Sequence, residues 1–360
     1  MSLLLDVSFT NGAESSVATC NNDMVDKILR SAECKQMRTA DEVAMRAVDR
    51  RFFLPKEFTG SPYKLAAVTH ECVTISSPLI YANVLKQLEL QPGDRFLNIG
   101  SGSGYFSCIA GILVADYGAN VGLEIQPQLV EYSKRCVREA LLSSNALSLL
   151  NFVPPKFYCG NLLDVERIFC GKYFNKIYCG FELSSQAISL LSKFLSPNGI
   201  LVAPWTRWLN VMVKNADTSV TVKPLHTTVF EPMINEPSVN VSSPRNISIG
   251  GVPSLYRLAI WELRRVVKNF VFQRHPGFQH YHSGCAQADC ASLHLCGDEE
   301  QPIAKANKKG KCGVPRACLH LKAWECFEIM EETVTEEFFD VVTNLVIPEH
   351  MYPSLLLHLF

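Results

Sequence analysis

Apolar residues repeat at helical spacing over residues 25–52, and Thr39 followed three residues later by Glu42 has the form of a capping box, so a helix is expected to start near Ala40. From Leu85 onward short apolar runs alternate with helical ones. Strands are predicted over 95–99, 120–125, 156–159, 176–179 and 200–203. The helix predicted over 127–142 puts Leu129, Tyr132, Cys136, Val137, Ala140 and Leu141 on one face. Strand and helix in turn imply an α/β domain, a mostly parallel sheet with helices on both faces. Two further runs, 209–213 and 220–222, alternate with period two around Asn215-Ala216-Asp217 and predict an antiparallel terminal hairpin.

After Glu236 the composition shifts to Ser, Pro, Asn and Gly, which marks a linker. The expected organisation is a flexible segment 1–21, the α/β domain 22–235, a linker 236–252 and a helical C-terminal extension. That extension divides into 253–280, opening with a basic amphipathic helix over 253–272, a Cys/His-rich loop 281–325, and a final segment 326–360.

At 360 residues the chain is long enough for two compact units or one large domain with appendages. A formal net charge of −1 gives no general attraction to nucleic acid or acidic lipid. The brief run Leu3-Leu4-Leu5 has no basic preface or small-residue cleavage site, and no long apolar stretch suggests a membrane span. No nucleic-acid or membrane partner is therefore expected. Without a secretory signal, the 14 cysteines read as reduced thiols of a cytoplasmic or nuclear protein.

Candidate chemistry centres on residues 96–104, a strand running into Gly100-Ser101-Gly102-Ser103-Gly104 and then a helix. Glycine lets a ligand approach the backbone, and the helix start offers amides to a negative group. Glu124, at the end of the next strand, is spaced to accept both ribose hydroxyls of an adenosine; the alternative is a solvated loop residue. A dinucleotide fingerprint would read Gly-x-Gly-x-x-Gly. The Gly-x-Gly-x-Gly found here suits S-adenosylmethionine better, whose only anionic group is the methionine carboxylate.

The segments 48–55 (VDRRFFLP), 74–78 (TISSP), the glycine turn, 195–202 (LSPNGILV), 223–225 (KPL) and 230–232 (FEP) follow one another as in one known family. From about Asn22 to Met233 the chain resembles the protein-L-isoaspartate O-methyltransferases. That resemblance implies a Rossmann-like class I methyltransferase fold, S-adenosyl-L-methionine as cofactor, and isoaspartyl residues of damaged proteins as substrate. It implies that Ser76 donates its hydroxyl to the isoaspartyl carboxylate, and that Gly100, Ser101, Gly102, Ser103, Gly104, Glu124 and Asn161 contact the cofactor. A carboxylate is ionised at neutral pH and needs no general base, so alignment supplies most of the catalysis. The chain departs from the family at three positions: Asn98 replaces a first-strand Asp, Asn161 an Asp beside the adenine, and Leu65 an Asp after Tyr63. Holding the cofactor is the expectation, and methyl transfer is the property to test.

The departures and the long extension resemble the isoaspartate-methyltransferase domain-containing subgroup, whose tail is similar to a SOCS box. This resemblance implies elongin B/C binding through Leu255, Ala259 and Leu263, one stripe of a helix, and cullin binding through Pro348. An amphipathic core helix would show the same spacing. Residues 345–351 carry Val346 in place of the cullin box's first proline, and Ser354 where an aromatic is usual. The start Met1-Ser2 lacks the subgroup's myristoylation signal, so no lipid anchor is expected. His282, Cys285, Cys290, His294, Cys296, Cys312, Cys318 and His320 could hold one structural zinc, but they include no Cys-x-x-Cys pair and their spacings are wide; a disordered insertion with incidental cysteines is the expectation, and a zinc site the alternative.

Overall fold

The computed structural model describes residues 17–233 except 33, 35, 116–117, 145–149, 170 and 172, together with 255–274 and 336–345 except 339 and 343. Ahead of the main sheet lie α1 (Asn21–Arg30), α2 (Thr39–Ala47), a 3-10 turn (Arg50–Phe53), the hairpin β1 (Val68–His70) and β2 (Val73–Ile75), and α3 (Pro78–Leu88). The helical spacing over 25–52 is thus divided among three elements. Thr39 does not cap α2: the N-cap is Arg38, without a side-chain cap, and Thr39 is already helical. Arg38 instead donates from Nε to Asp41 (2.8 Å), and Glu42 accepts from Arg46 (3.0 Å) rather than reaching back to the helix start. A third arginine-carboxylate contact, Arg46 to Asp26 at 2.6 Å, ties α2 to α1.

The main sheet is built from β3 (Arg95–Ile99), β4 (Ala119–Glu124), β5 (Lys156–Cys159), β6 (Phe174–Cys179), β7 (Leu195–Trp205), β8 (Trp208–Lys214) and β9 (Val220–Thr227). Their spatial order is β5-β4-β3-β6-β7-β8-β9. The pairs from β5 to β7 are parallel and the last two are antiparallel. Between the strands lie α4 (Tyr105–Val114), α5 (Pro127–Ser143), the short α6 (Val165–Ile168) and α7 (Ser185–Phe194).

Period-two alternation sorts the strand residues into two cores. Phe96, Tyr178, Val202 and Val211 face the layer holding α1 to α5. Leu97, Ile99, Ile177, Cys179, Leu201 and Met212 face the layer holding α6 and α7. Because the sheet is covered on both sides, its central strands are apolar nearly throughout. β7 extends beyond the predicted strand at both ends, through a register shift with β6 and with Asn198 in the left-handed region. Among the described residues the outer strand β9 pairs only with β8, and it carries Pro224, which limits further pairing along that edge.

The extension adds α8 (Leu255–Arg274), on which Ile260, Val267 and Val271 are buried. Lys268 Nζ donates to Asn151 Oδ1 (2.9 Å), and the Arg264 guanidinium lies over the Phe338 ring. The Cys/His-rich loop, Pro348 and Ser354 fall outside the described residues. Among the described residues no helix is long and apolar enough to cross a membrane, and no group of three His, Cys, Asp or Glu side chains is placed to hold a metal.

Candidate functional site

The strand order reverses at β3, with β4 on one side and β6 on the other, and in open α/β sheets ligands bind at the carboxyl ends of such strands. The glycine turn lies there, directly after Ile99. Gly102 has φ +52°, and a side chain at that point would meet only the Thr74 carbonyl, at 3.6 Å, with otherwise open space around it. Gly104, at φ +85°, plays another part: a Cβ there would come within 2.7 Å of the Phe157 ring. One glycine leaves room for a ligand and the other lets α4 close onto the sheet.

Glu124 ends β4 and is 5% exposed, so the solvated-loop alternative does not describe it. Its Oε2 accepts from the Gly102 amide (2.9 Å) and its Oε1 from the Gln126 amide (3.1 Å). Burial raises the pKa of this carboxyl, opposed by hydrogen bonds from the amides of Gly102, Gln126 and Ile125. The Gly102 bond fixes Glu124 against the turn, and each carboxylate oxygen keeps a lone pair for a ribose hydroxyl. Ser101 and Ser103 are buried, and the Ser101 hydroxyl has no partner among the described residues. Open space at Gly102, a fixed carboxylate and an unsatisfied hydroxyl fit an adenosine-bearing ligand.

The other predicted residues converge on the same end of the sheet. The Gly160 amide donates to the Glu124 carbonyl (2.9 Å), which brings Asn161 beside the end of β4. Asn161 is 2% exposed, and its Oδ1 accepts from the Leu163 amide (2.9 Å) as the cap of a short 3-10 turn. Asn98 is buried and donates from Nδ2 to Ser107 Oγ (2.9 Å) in α4, while its Oδ1 has no partner among the described residues. On the far wall the half-buried Ser76 donates its amide to Tyr81 Oη (3.3 Å). Ser77 caps α3 by accepting from the Leu79 amide (3.3 Å) and donates its hydroxyl to the Leu65 carbonyl (2.6 Å). Leu65 thus frames the wall through its backbone while its side chain joins the core. The Phe181 ring lies against Gly100 at the mouth of the turn.

Several residues of this wall were not singled out by the sequence. Arg50 and Arg51 are adjacent arginines, yet Arg50 is 0% exposed and hydrogen-bonded to backbone carbonyls while the side chain of Arg51 is largely in solvent. The buried phenols of Tyr81, Tyr105 and Tyr178 pack around Phe106 and Phe53 behind Ser76. Only the aromatic content of these segments hinted at such a cluster.

Fold and site together define a Rossmann-like class I methyltransferase domain. A Plasmodium falciparum protein, described as a protein-L-isoaspartate O-methyltransferase in complex with S-adenosyl-L-homocysteine, shares the fold: TM-score 0.50, 23% identity, 60% of this chain and 99% of that one covered. The protein-L-isoaspartate O-methyltransferase of Triticum aestivum is 32% identical over 212 residues, covering 56% of this chain and 86% of that protein. The chain belongs to the protein-L-isoaspartate O-methyltransferase family. A family model for protein-L-isoaspartate(D-aspartate) O-methyltransferase (PCMT) matches residues 19–152. The protein-L-isoaspartate O-methyltransferase of Caenorhabditis elegans is 32% identical over 127 residues, 34% of this chain and 54% of its own length. That of Aeropyrum pernix is 34% identical over 113 residues, 31% of this chain and 42% of its own length. The chain therefore spans about half the length of these last two relatives.

Proposed function

We propose that the chain binds S-adenosyl-L-methionine at the glycine turn and methylates the free carboxylate of isoaspartyl residues in damaged proteins. The observation that carries this reading is the meeting of two segments at Gly102: its amide is held by Glu124, and the Thr74 carbonyl of the segment leading to Ser76 lies across the open space beside it. Glu124 would hold the ribose hydroxyls, Ser101 and the start of α4 the methionine end, and Asn161 the adenine side. When bound, S-adenosyl-L-methionine supplies an electrophilic methyl group whose transfer to a carboxylate oxygen turns the sulfonium into a neutral thioether and moves no proton. The chain's own residues therefore need only orient the carboxylate, a task that falls to the Ser76 hydroxyl and the backbone fixed around it. The methyl ester formed can cyclise to a succinimide, which begins repair.

Transfer of labelled methyl to an isoaspartyl peptide tests the reading directly. The wild-type chain is expected to label the peptide above the level seen with an aspartyl control. Asn98→Asp is expected to fold, since the Ser107 hydroxyl can turn from accepting to donating. Labelling by Asn98→Asp alone would reassign the wild-type site to cofactor binding without turnover.

One observation favours a second role, as substrate receptor of an elongin B/C–cullin ubiquitin ligase. While Ile260, Val267 and Val271 are buried, the other side of α8 leaves Ala259 exposed, Leu263 half-exposed, and Val266 and Phe270 at 51% and 49% exposure. The spacing 259, 263, 266, 270 forms one outward stripe. Ala259→Asp is expected to abolish elongin B/C co-purification from cells without changing the melting temperature of the chain. Undiminished co-purification would remove α8 as the docking element.

A further inference from the structure

Arg50 is 0% exposed, and no acidic side chain of the described residues forms an ion pair with it. Three nearby arginines are paired, Arg38 with Asp41, Arg46 with Glu42 and Asp26, and Arg51 with Asp49. Asp49, the preceding residue, turns away from Arg50 to accept from Tyr63 Oη (3.1 Å) and the Arg51 amide (2.8 Å). Among the described residues the guanidinium donates only to backbone carbonyls: Nη1 to Lys64 (3.5 Å), and Nη2 to Ala66 (3.3 Å) and Ile75 (3.3 Å). Tyr81 and Tyr105 are its other polar neighbours, and its Nε has no partner among the described residues. Burial lowers its pKa, but arginine starts so high that the group stays charged. A buried cation without a carboxylate is costly to keep.

Its three carbonyl partners belong to the two segments that frame Ser76. The Ile75 carbonyl shares a peptide bond with the Ser76 amide. Oxygen and nitrogen of that one peptide are therefore both held, by Arg50 and by Tyr81 Oη. We propose that Arg50 is a positioning residue that makes the Ser76 wall selective for an anion, by fixing the peptide bond before Ser76 and by supplying a buried positive charge left uncancelled. The anion is the free α-carboxylate of an isoaspartyl peptide, an assignment that rests on the isoaspartyl reading of the site. The charge acts across a low-dielectric interior, where it is screened far less than a surface arginine would be.

The test uses the full chain saturated with S-adenosyl-L-homocysteine and two isoaspartyl peptides that differ in one group, a free α-carboxylate or its carboxamide. The wild type is expected to bind the carboxylate peptide about tenfold or more tightly than the carboxamide, as a weakly screened charge interaction requires. Arg50→Met should bring the two affinities to within about twofold of each other, since it removes that same charge. Arg50→Lys keeps the charge but loses the fork, so it should retain a preference for the carboxylate while binding both peptides more weakly. A lost fold would lower S-adenosyl-L-homocysteine affinity as well, which separates it from lost selectivity. Equal wild-type affinities, or an undiminished preference in Arg50→Met, would overturn the proposal. If Arg50→Met does not fold, Arg50→Lys decides: a preference lost along with the fork alone would also overturn it. A wild type that holds S-adenosyl-L-homocysteine but binds neither peptide would instead remove the isoaspartyl reading, and this inference with it.

Discussion

Glu124→Ala is expected to weaken S-adenosyl-L-methionine binding by about 1.5–3 kcal/mol, roughly 10- to 150-fold in calorimetry, the usual range for hydrogen bonds to a charged group. The proposed ribose acceptor is lost, and so is the carboxylate that ties the Gly102 amide to the end of β4. The turn would then have to be ordered by the ligand itself, which adds to the loss. Unchanged affinity would remove Glu124 from the cofactor site.

The same residue predicts a pH dependence whose two parts have opposite signs. Burial raises the Glu124 pKa in the folded chain above its ordinary value. The folded chain therefore binds this proton more tightly than the unfolded chain does. Stability from this group is fully present below the ordinary carboxylate pKa and is lost as pH rises through the raised one. Cofactor affinity runs the other way, because the ribose hydroxyls need the ionised form, and it declines as pH falls through the raised value. Glu124→Gln should abolish this component of both trends, which thermal unfolding of the free chain and calorimetry at matched pH would show.

Residues whose role is set by the neighbouring chain are legible in the sequence. β3 and β5 have the predicted bounds because each is a short run closed by glycine, and the turn after β3 could be recognised because left-handed backbone calls for glycine. The place of Glu124 at the end of β4 followed from spacing alone, although its burial and its bond to Gly102 did not. Where a role depends on distant chain, local pattern is a poor guide. Thr39 and Glu42 have the spacing of a capping box, but Glu42 pairs with Arg46 one turn further along, so α2 starts without one. Arg50 and Arg51 are equivalent as text; which one is buried depends on carbonyls 14 and 25 residues further along. Asn98 and Asn161 read as losses of charge, whereas both amides are engaged, with Ser107 and Leu163. The Asn98 Oδ1 stays without a partner among the described residues.

Phe106→Ala is expected to produce the largest loss of stability, about 3–5 kcal/mol for a buried phenylalanine, or roughly 6–20 °C in melting temperature for a domain of this size. Phe106 is 2% exposed and stands at the second position of α4, directly behind the glycine turn. Its ring stacks on Tyr81 at 4.9 Å and meets Tyr178 and Phe96 edge-on at 4.9 and 5.9 Å. Each such pair contributes about 0.5–1.5 kcal/mol beyond its buried area, so the cavity is flanked by three rings that lose a partner together. The effect should reach the substrate wall through one of them. Tyr81 Oη accepts from the Ser76 amide, and a Tyr81 ring free to tilt no longer fixes that peptide. Phe106→Leu, which refills most of the volume but not the stacking, should recover most of the melting temperature and less of the isoaspartyl-peptide affinity. Recovery of both in equal proportion would mean that the aromatic cluster supports the fold alone and does not position Ser76.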